Sequence, residues 1–462
     1  MSREQLHGLM NDALKASDAD QTEIVIMTSN SALTWYAENI IHQNVADHTA
    51  QVQVRAAHGK KVGSASTTDC SPEGLALVVQ QASHAARLMP DDPGFPGLPS
   101  PQPIAEAGIG GWVAATAVSP PGERVLVVKK VIERAEHEGL RAAGTYQVQN
   151  SELAVMSSMG VAAYHQYTVA ALKAVVMGDD SSGYGLMSSA DIADIDPEAT
   201  GEQAVRTAVE TRHPTEVEPG AFEVVLSPFA VEELMSNLVY ALSARSVEQH
   251  TCFLEGHEGE QIVSPIVSLY DDGLDPAGMP VPFDFEGMPK RRVDFLTQGK
   301  GGNVVYDSYY AAKMGRTTTG HSLQQPEPNE IGPCPCPYPL NIFMGAGDSS
   351  EADMVSHVER GIYVTRFWYG SLVDPRGAVV TGMTRDGTYL IENGHKTHGI
   401  QNLRFTQGLV DMLAHTVEIS RNRAVLASPF GGVLVMASSF GIGAMVLPSI
   451  RAEGFQFTGV TR

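Results

Sequence analysis

The chain has 462 residues, 43% of them hydrophobic and 18% charged, a balance that fits a folded globular protein and not a disordered one. Its 31 basic residues against 53 acidic ones leave a formal charge of −22, which repels nucleic-acid phosphates and anionic lipid and argues against partners of either kind. The length suggests two or three domains, and no apolar run is long enough to span a membrane.

The amino-terminal segment lacks an apolar signal core, so a cytoplasmic protein is expected. Four cysteines, Cys70, Cys252, Cys334 and Cys336, give no disulfide framework and are expected to be thiols.

Residues 2–15 carry Leu6, Leu9, Met10 and Leu14 on one helical face, with Ser2 and Gln5 in capping-box spacing. "EIVIMT" (23–28) reads as a buried strand. Val52, Val54 and Ala56 alternate, and His58-Gly59 turns that strand back into "KVGSAST" as a hairpin. Ser71-Pro72-Glu73 starts a helix whose inward face is Leu75, Val78, Val79, Ala82 and Ala86. The Pro-rich stretch 90–121 cannot be a regular helix or a central strand and reads as a surface connection. A helix near 123–138, strand-like runs up to "AAYHQYTVAALKAVVMG" and a helix near 198–211 complete an expected first domain, residues 1–215.

The expected second domain, residues 216–462, opens with strand "FEVVLS". Helix "PFAVEELMSNLVYALS" follows, with Ser227-Pro228 at its start and Val231, Leu234, Met235, Leu238 and Leu242 as its stripe. Short strands and turns dominate afterwards, with one further helix expected from Asp348 to Gly361. The fold class is α+β: an N-terminal helix-and-sheet domain, then a C-terminal domain rich in antiparallel β-sheet.

The segment "TCFLEGHEGEQIV" (251–263) concentrates metal-ligand residue types. A helical zinc-peptidase motif needs two His on one helix face with a Glu beside the first. His257-Glu258 supplies one His and the Glu, but Gln261-Ile262-Val263 stands one turn later, and Gly256 and Gly259 flank the pair, so a turn is expected. A loop site of His250, Cys252, His257 and Glu258 is the metal-binding alternative. Cys334-Pro335-Cys336 lies in a Pro-rich loop without a partner His. Asp179-Asp180 and Asp271-Asp272 could hold a hard cation but read as solvated turns between strands. No phosphate loop and no nucleophile elbow occurs.

Taken together, "KVGSASTTDCSPEGL", "FLEGHEGEQIVSP", "PFDFEGMPKRR", "VVYDSYYAAKMGRTTTGH", "VERGIYVT", "YLIENG" and "IRAEGFQFTG" resemble the TldD/PmbA family, also described as modulators of DNA gyrase. The resemblance runs nearly end to end. It implies a cytoplasmic two-domain protein that pairs with a relative to form a heterodimeric zinc protease. Unfolded peptides and precursors of modified peptide natural products would be its substrates.

In that family the TldD-like subunit carries a helical His-Glu-x-x-x-His and a distant Cys as zinc ligands, and the PmbA-like subunit, also called TldE, lacks them. Counted back from the "FLEG" turn, whose register is set by Phe253, Gly259 and Gln261, the ligand helix falls on "VEELMSNLVYALS", which has no His. The closing segment "ASPFGGVLVMASSFGIGAMVLPS" has no Cys.

The resemblance is therefore to the PmbA-like subunit, with no catalytic or metal residue of its own, no cofactor in this chain, and zinc in a TldD-like partner. Tyr306, Asp307, Tyr309, Gly320, Tyr363, Glu392 and Gly394 match family positions without an assigned role. Two other readings stay open: an autonomous metallopeptidase with the displaced His250-to-Glu258 site, and a homodimer that binds peptides without cleaving them.

Overall fold

The computed structural model describes residues 3–105, 111–326, 333–427 and 443–461. Its first half is one antiparallel sheet with helices on one face. The strands are β1 (Gln21–Ala37), β2 (Ile40–His58), β3 (Lys61–Thr67), β4 (Arg141–Ser157), β5 (Ala162–Met177) and β6 (Ser182–Ser189), in the order β3-β2-β1-β4-β5-β6. The helices are α1 (Arg3–Lys15), α2 (Pro72–Leu88), α3 (Ala114–Ala117), α4 (Pro121–His137) and α5 (Pro197–Glu210).

Because side chains alternate along a strand, one face of β1 holds Ile24, Ile26 and Tyr36 and the other holds Val25 and Met27. Ile24 and Ile26 pack under α1 and α2 with Leu6, Met10, Leu75 and Val78. Tyr36 packs with Tyr146 and Val148 of β4 and with Val128, Val131 and Val205 of α4 and α5. Thr28, Asn30 and Ala32 lie between these two helix pairs. The opposite face, with Val25 and Met27, enters the large core shared with the second half of the chain. The expected cap of α2 is present, since Ser71 Oγ accepts the Gly74 N–H at 3.0 Å. Ser2 lies outside the described residues.

The second half contains β7 (Ala221–Leu226), α6 (Pro228–Leu238), α7 (Ala244–Glu248), β8 (Leu269–Asp271), β9 (Val293–Thr297), β10 (Lys300–Gly301) and α8 (Ser308–Lys313). These are followed by β11 (Ser322–Pro326), β12 (Pro333–Pro337), β13 (Asn341–Met344), α9 (Glu351–Ser356), β14 (Arg360–Asp374) and β15 (Val379–Glu392). The last elements are β16 (His395–Gly399), β17 (Leu403–Gly408), α10 (Leu409–Ala414), β18 (Thr416–Leu426) and β19 (Ala444–Val460). The sheet runs β10-β9-β8-β13-β19-β17-β15-β14-β7, and β7 also pairs with β19, which closes the last strands into a ring. Most pairs are antiparallel; β13–β19 and β14–β7 are parallel. Phe367, Phe405 and Phe455 fill the packing here, with ring centroids 4.5 to 5.6 Å apart.

Several boundaries differ from the sequence expectation. β1 and β2 extend far beyond the apolar runs, because their outer halves are held by ladder bonds to each other and, for β1, to β4. The helix expected up to Ser243 stops at Leu238, and a short tight turn at Val239–Ala241 follows. The helix expected from Asp348 begins at Glu351, capped reciprocally by Ser350 and Asp353, and the chain is already extended at Arg360. Within 90–121, Phe95 and Leu98 are buried and α3 forms, so this connection is partly packed against the first sheet. The backbone around Cys334 and Cys336 is strand β12, paired with β11, and is not a loop. Among the described residues no helix is long and apolar enough to cross a membrane.

Candidate functional site

The segment 250–263 is a turn, and its ligand-type side chains point to different partners. His250 sits at φ 56° with Nδ1 2.8 Å from Glu255 Oε1, while His257 Nδ1 lies 2.7 Å from Glu260 Oε2. Cys252 is buried, and burial pushes its thiol up to about 11, so it is a neutral thiol and not a ready ligand. Glu258 is exposed, and its backbone bridges to Gly301. Among the described residues no group of three or more His, Cys, Asp or Glu side chains is arranged to hold a metal ion. The residues present here do not fit a zinc site.

The register residues do structural work. Phe253 enters the main core, Gly259 takes φ 81° and donates its N–H to Gly301 O, and Gln261 Nε2 donates to Val263 O and Gln298 O at 2.7 and 3.0 Å. They pin the turn to the β9–β10 hairpin.

Upstream, α6 occupies the place where the resemblance puts a ligand helix. Val231, Leu234, Met235 and Leu238 are wholly buried. The polar side carries Glu232 and Glu233; Glu233 Oε1 accepts the Gly370 N–H at 2.9 Å. Burial, reinforced by Glu233, pushes Glu232 up to about 8. The segment 427–449, where a ligand Cys was sought, falls largely outside the described residues.

A cluster of buried charges dominates the family motifs. Arg55 of β2 lies 3.1 Å from Glu23 of β1 and 2.9 Å from Glu286, so it joins the first sheet to the second half of the chain. Glu286 also accepts from Ser308, through Oγ at 2.6 Å and the backbone N–H at 3.0 Å. Asp284 accepts the N–H groups of Glu286, Met288 and Ser322. Asp307 caps α8 by accepting the Tyr310 N–H at 2.8 Å. Asp271 accepts the Leu340 and Asn341 N–H groups at 2.7 and 2.8 Å and meets His321 Nε2 at 2.8 Å.

His321 Nδ1 lies 2.9 Å from Thr319 O and 3.0 Å from Thr319 Oγ1, so both ring nitrogens have polar partners. Asp271 was expected to be a solvated turn residue; it is fully buried, because the β8–β13 pairing carries it inside. Asp272 and Asp180 do sit in turns, accepting the Leu274 and His213 N–H groups.

This burial moves protons. Asp284 is pushed up to about 8 and Asp307 to about 7, in each case by desolvation first and by Glu286 second. Lys290, buried between Asp271 and Asp284, is lowered by desolvation. Arg55 resists burial because two carboxylates hold it charged. The cluster joins the two halves of the chain through Glu23, Arg55 and Glu286, and it leaves Lys290 Nζ and Asp307 Oδ2 buried without a hydrogen-bond partner among the described residues.

The other motif positions are dispersed. Tyr306 O accepts the Thr319 N–H at 3.0 Å while the Tyr306 N–H donates to Thr319 Oγ1 at 2.8 Å, and Gly320 takes φ 72° where a Cβ would meet Pro289 O at 2.2 Å. Tyr309 touches the Pro-rich connection at Gly94. Tyr363 donates to Glu351 Oε1 at 2.9 Å beneath Lys396, whose Nζ lies 3.8 Å from the ring centroid. Glu392 ends β15, exposed, and Gly394 at φ 79° turns the chain into β16 against Ser356. Sequence reasoning did not single out Glu23, Arg55 or Lys290. A lone charge in an alternating strand carries no signal of its buried partner.

A family model described as the PmbA/TldA metallopeptidase C-terminal domain matches residues 219–459, more than half of the chain, and one described as domain 1 of the same group matches residues 22–86. The chain belongs to the TldD/PmbA family. It is similar to the metalloprotease PmbA of Escherichia coli O157:H7, 22% identical over 95% of this chain and 93% of that protein. It is also similar to a metalloprotease TldD homolog of Haemophilus influenzae, 23% identical over 84% of this chain and 83% of that one. In fold it resembles TldE from Thermococcus kodakarensis, with a TM-score of 0.85 at 22% identity, covering 98% of this chain and 100% of the other. The TldD/PmbA segments thus map onto the turn at 250–263, the buried charge cluster and the β14–β16 region.

Proposed function

We propose that this chain is the metal-free subunit of a heterodimeric, cytoplasmic zinc metalloprotease, paired with a TldD-like catalytic chain and acting on unfolded or precursor peptides. The observation that carries the reading is helix α6. Where a TldD-like chain would present His-Glu-x-x-x-His, this helix presents Val231, Leu234, Met235 and Leu238 to the core and has no His. The dispersed His250, Cys252 and His257 support the same reading, because none of them replaces the missing ligands. In this arrangement the zinc of the partner supplies the hydrolytic chemistry, and this chain contributes walls of the peptide channel and holds substrate extended.

The test is co-purification of the tagged full-length chain from its native host, with zinc and peptidase activity measured on the isolated chain and on any complex. A TldD-like partner, with zinc and activity confined to the complex, is expected. Stoichiometric zinc in the isolated chain, lost together with activity on His257→Ala, would overturn the reading in favour of a displaced site. A homodimer without metal would overturn it in favour of a peptide-binding protein.

A further inference from the structure

Between Asn44 and Gln51, β2 has a neighbour on one side only. β3 pairs with residues Val52 to His58, whereas the preceding stretch pairs with β1 alone. The two-residue turn at Gly59-Lys60 makes His58 and Lys61 a hydrogen-bonded pair, so the N–H and C=O groups of Ala56, Val54 and Val52 face β3. By the same period of two, those of Ala50, His48, Ala46 and Asn44 face outward. The register shift after Trp35, where Gln43 and then Ile41 are the partners, reconciles this with the turn at Glu38-Asn39, which makes Ala37 and Ile40 a bonded pair. No described residue bonds these outward backbone groups. His42 to Thr49 are exposed.

Sheets guard such edges with Lys, Pro or a covering element. The stretch "NVADHTAQ" has neither Lys nor Pro. On its helix-side face, two adjoining cavities of about 460 and 310 Å³ share Asn30 and His48, the first walled by Thr68 and Cys70 ahead of α2 and the second by Thr116 and Ala117 of α3. The larger reaches Thr68 and Glu152, the smaller Ala46 and Asn150. An open ladder beside side-chain cavities is the geometry of strand addition, in which backbone bonds supply affinity and pockets read alternate side chains.

We propose that the edge of β2 from Asn44 to Ala50 binds an extended polypeptide, with every second side chain of the ligand entering these two cavities. The ligand is neutral or basic, since Glu152 stands in one cavity, Asp47 on the edge, and the chain carries −22 overall. The same charges disfavour a second copy of this chain, which would set Asp47 near Asp47. The inference rests on the proposed function only for the nature of the ligand, an unfolded peptide; it needs neither metal nor partner subunit.

The test uses the isolated full-length chain and a labelled synthetic peptide of about twelve Thr, Gln and Lys residues. Binding is expected, with amide exchange slowed at Asn44 to Ala50. The same peptide methylated on alternate backbone nitrogens should bind about tenfold more weakly or worse. Ala46→Pro should weaken binding similarly, because this N–H points away from β1 and its loss spares the β1–β2 ladder. Equal binding of the methylated peptide, protection elsewhere with this edge unchanged, or no binding would overturn the proposal. So would self-association that protects this edge without peptide. Failure to find a zinc-bearing partner would leave these outcomes untouched, so the two readings fail separately.

Discussion

Arg55 and Glu286, 231 positions apart in the chain, meet at 2.9 Å with almost no exposure of either side chain. Glu23 completes the arrangement from β1 at 3.1 Å. The first sheet and the 283–289 turn of the second half are therefore fastened by one guanidinium held between two carboxylates. Such a pair is a weak contributor as a whole and a costly one to break, since each buried charge depends on the other's presence.

Replacing Arg55 with Met keeps much of the volume and removes the cation. Glu23 and Glu286 are then left buried without it, and a loss of about 3–5 kcal/mol in unfolding free energy is expected. Urea denaturation of both chains at neutral pH measures it. A loss below about 1 kcal/mol would mean that water reaches the carboxylates and the joint is not dry.

Asp307 gives the cluster a direction in pH. Its carboxyl moves from an ordinary 3.8 to about 7 by burial and by Glu286, so the folded chain keeps a proton that the unfolded chain releases above 3.8. The stability this contributes is full below 3.8 and is lost as the pH rises through 7; Asp284, at about 8, acts in the same sense. Asp307 Oδ1 caps α8 while Oδ2 has no hydrogen-bond partner, so Asp307→Asn keeps the cap and removes the charge. The variant should lose less stability than the parent between about pH 4 and 7, by up to about 1.4 kcal/mol per unit. Melting temperature against pH for the two chains reads this, and a steeper decline in the variant would reverse the assignment.

How much of this was legible in the sequence depended on whether a residue's partner was local. Ser71, Pro72 and the stripe Leu75, Val78, Val79 and Ala82 announce α2 because cap and face lie within one segment. The outer halves of β1 and β2 were not legible, because "SNSALTWYAENIIHQNVADHTA" has no apolar alternation. Those residues are strand because a tight turn at Glu38-Asn39 folds the two segments onto each other and β4 pairs with β1 as far as Tyr36. The turn at His257 could be read from Gly256 and Gly259. The burial of Asp271 could not, since its partners His321, Leu340 and Asn341 come 50 to 70 residues later.

Gly320 and Gly259 separate two costs of a left-handed backbone. Both take positive φ, 72° and 81°, but a Cβ on Gly259 meets nothing within 4 Å, whereas one on Gly320 would stand 2.2 Å from Pro289 O. Gly259→Ala should cost about 1–2 kcal/mol, the steric penalty of the conformation alone. Gly320→Ala should cost clearly more, because relief of the clash displaces Lys290 and His321 from the buried cluster. Equal melting temperatures for the two variants would show that the 318–321 turn yields freely.

Cys252 offers a chemical check on the metal-free reading. Burial holds its thiol at about 11, so only a minute fraction is thiolate near neutral pH, and thiolate is the form that attacks disulfide reagents and binds zinc. In the folded chain Cys252 should resist an aromatic disulfide reagent at about pH 8 and react at a normal rate once urea unfolds it. Added zinc should leave that behaviour unchanged and release no proton from it, because His250 and His257 are paired to Glu255 and Glu260 and do not converge on its sulfur. Peptide mapping of the labelled cysteines identifies the site. Rapid labelling of Cys252 in the folded chain, suppressed by zinc, would mean that the 250–258 segment rearranges into the displaced site, and the catalytic assignment would pass to this chain.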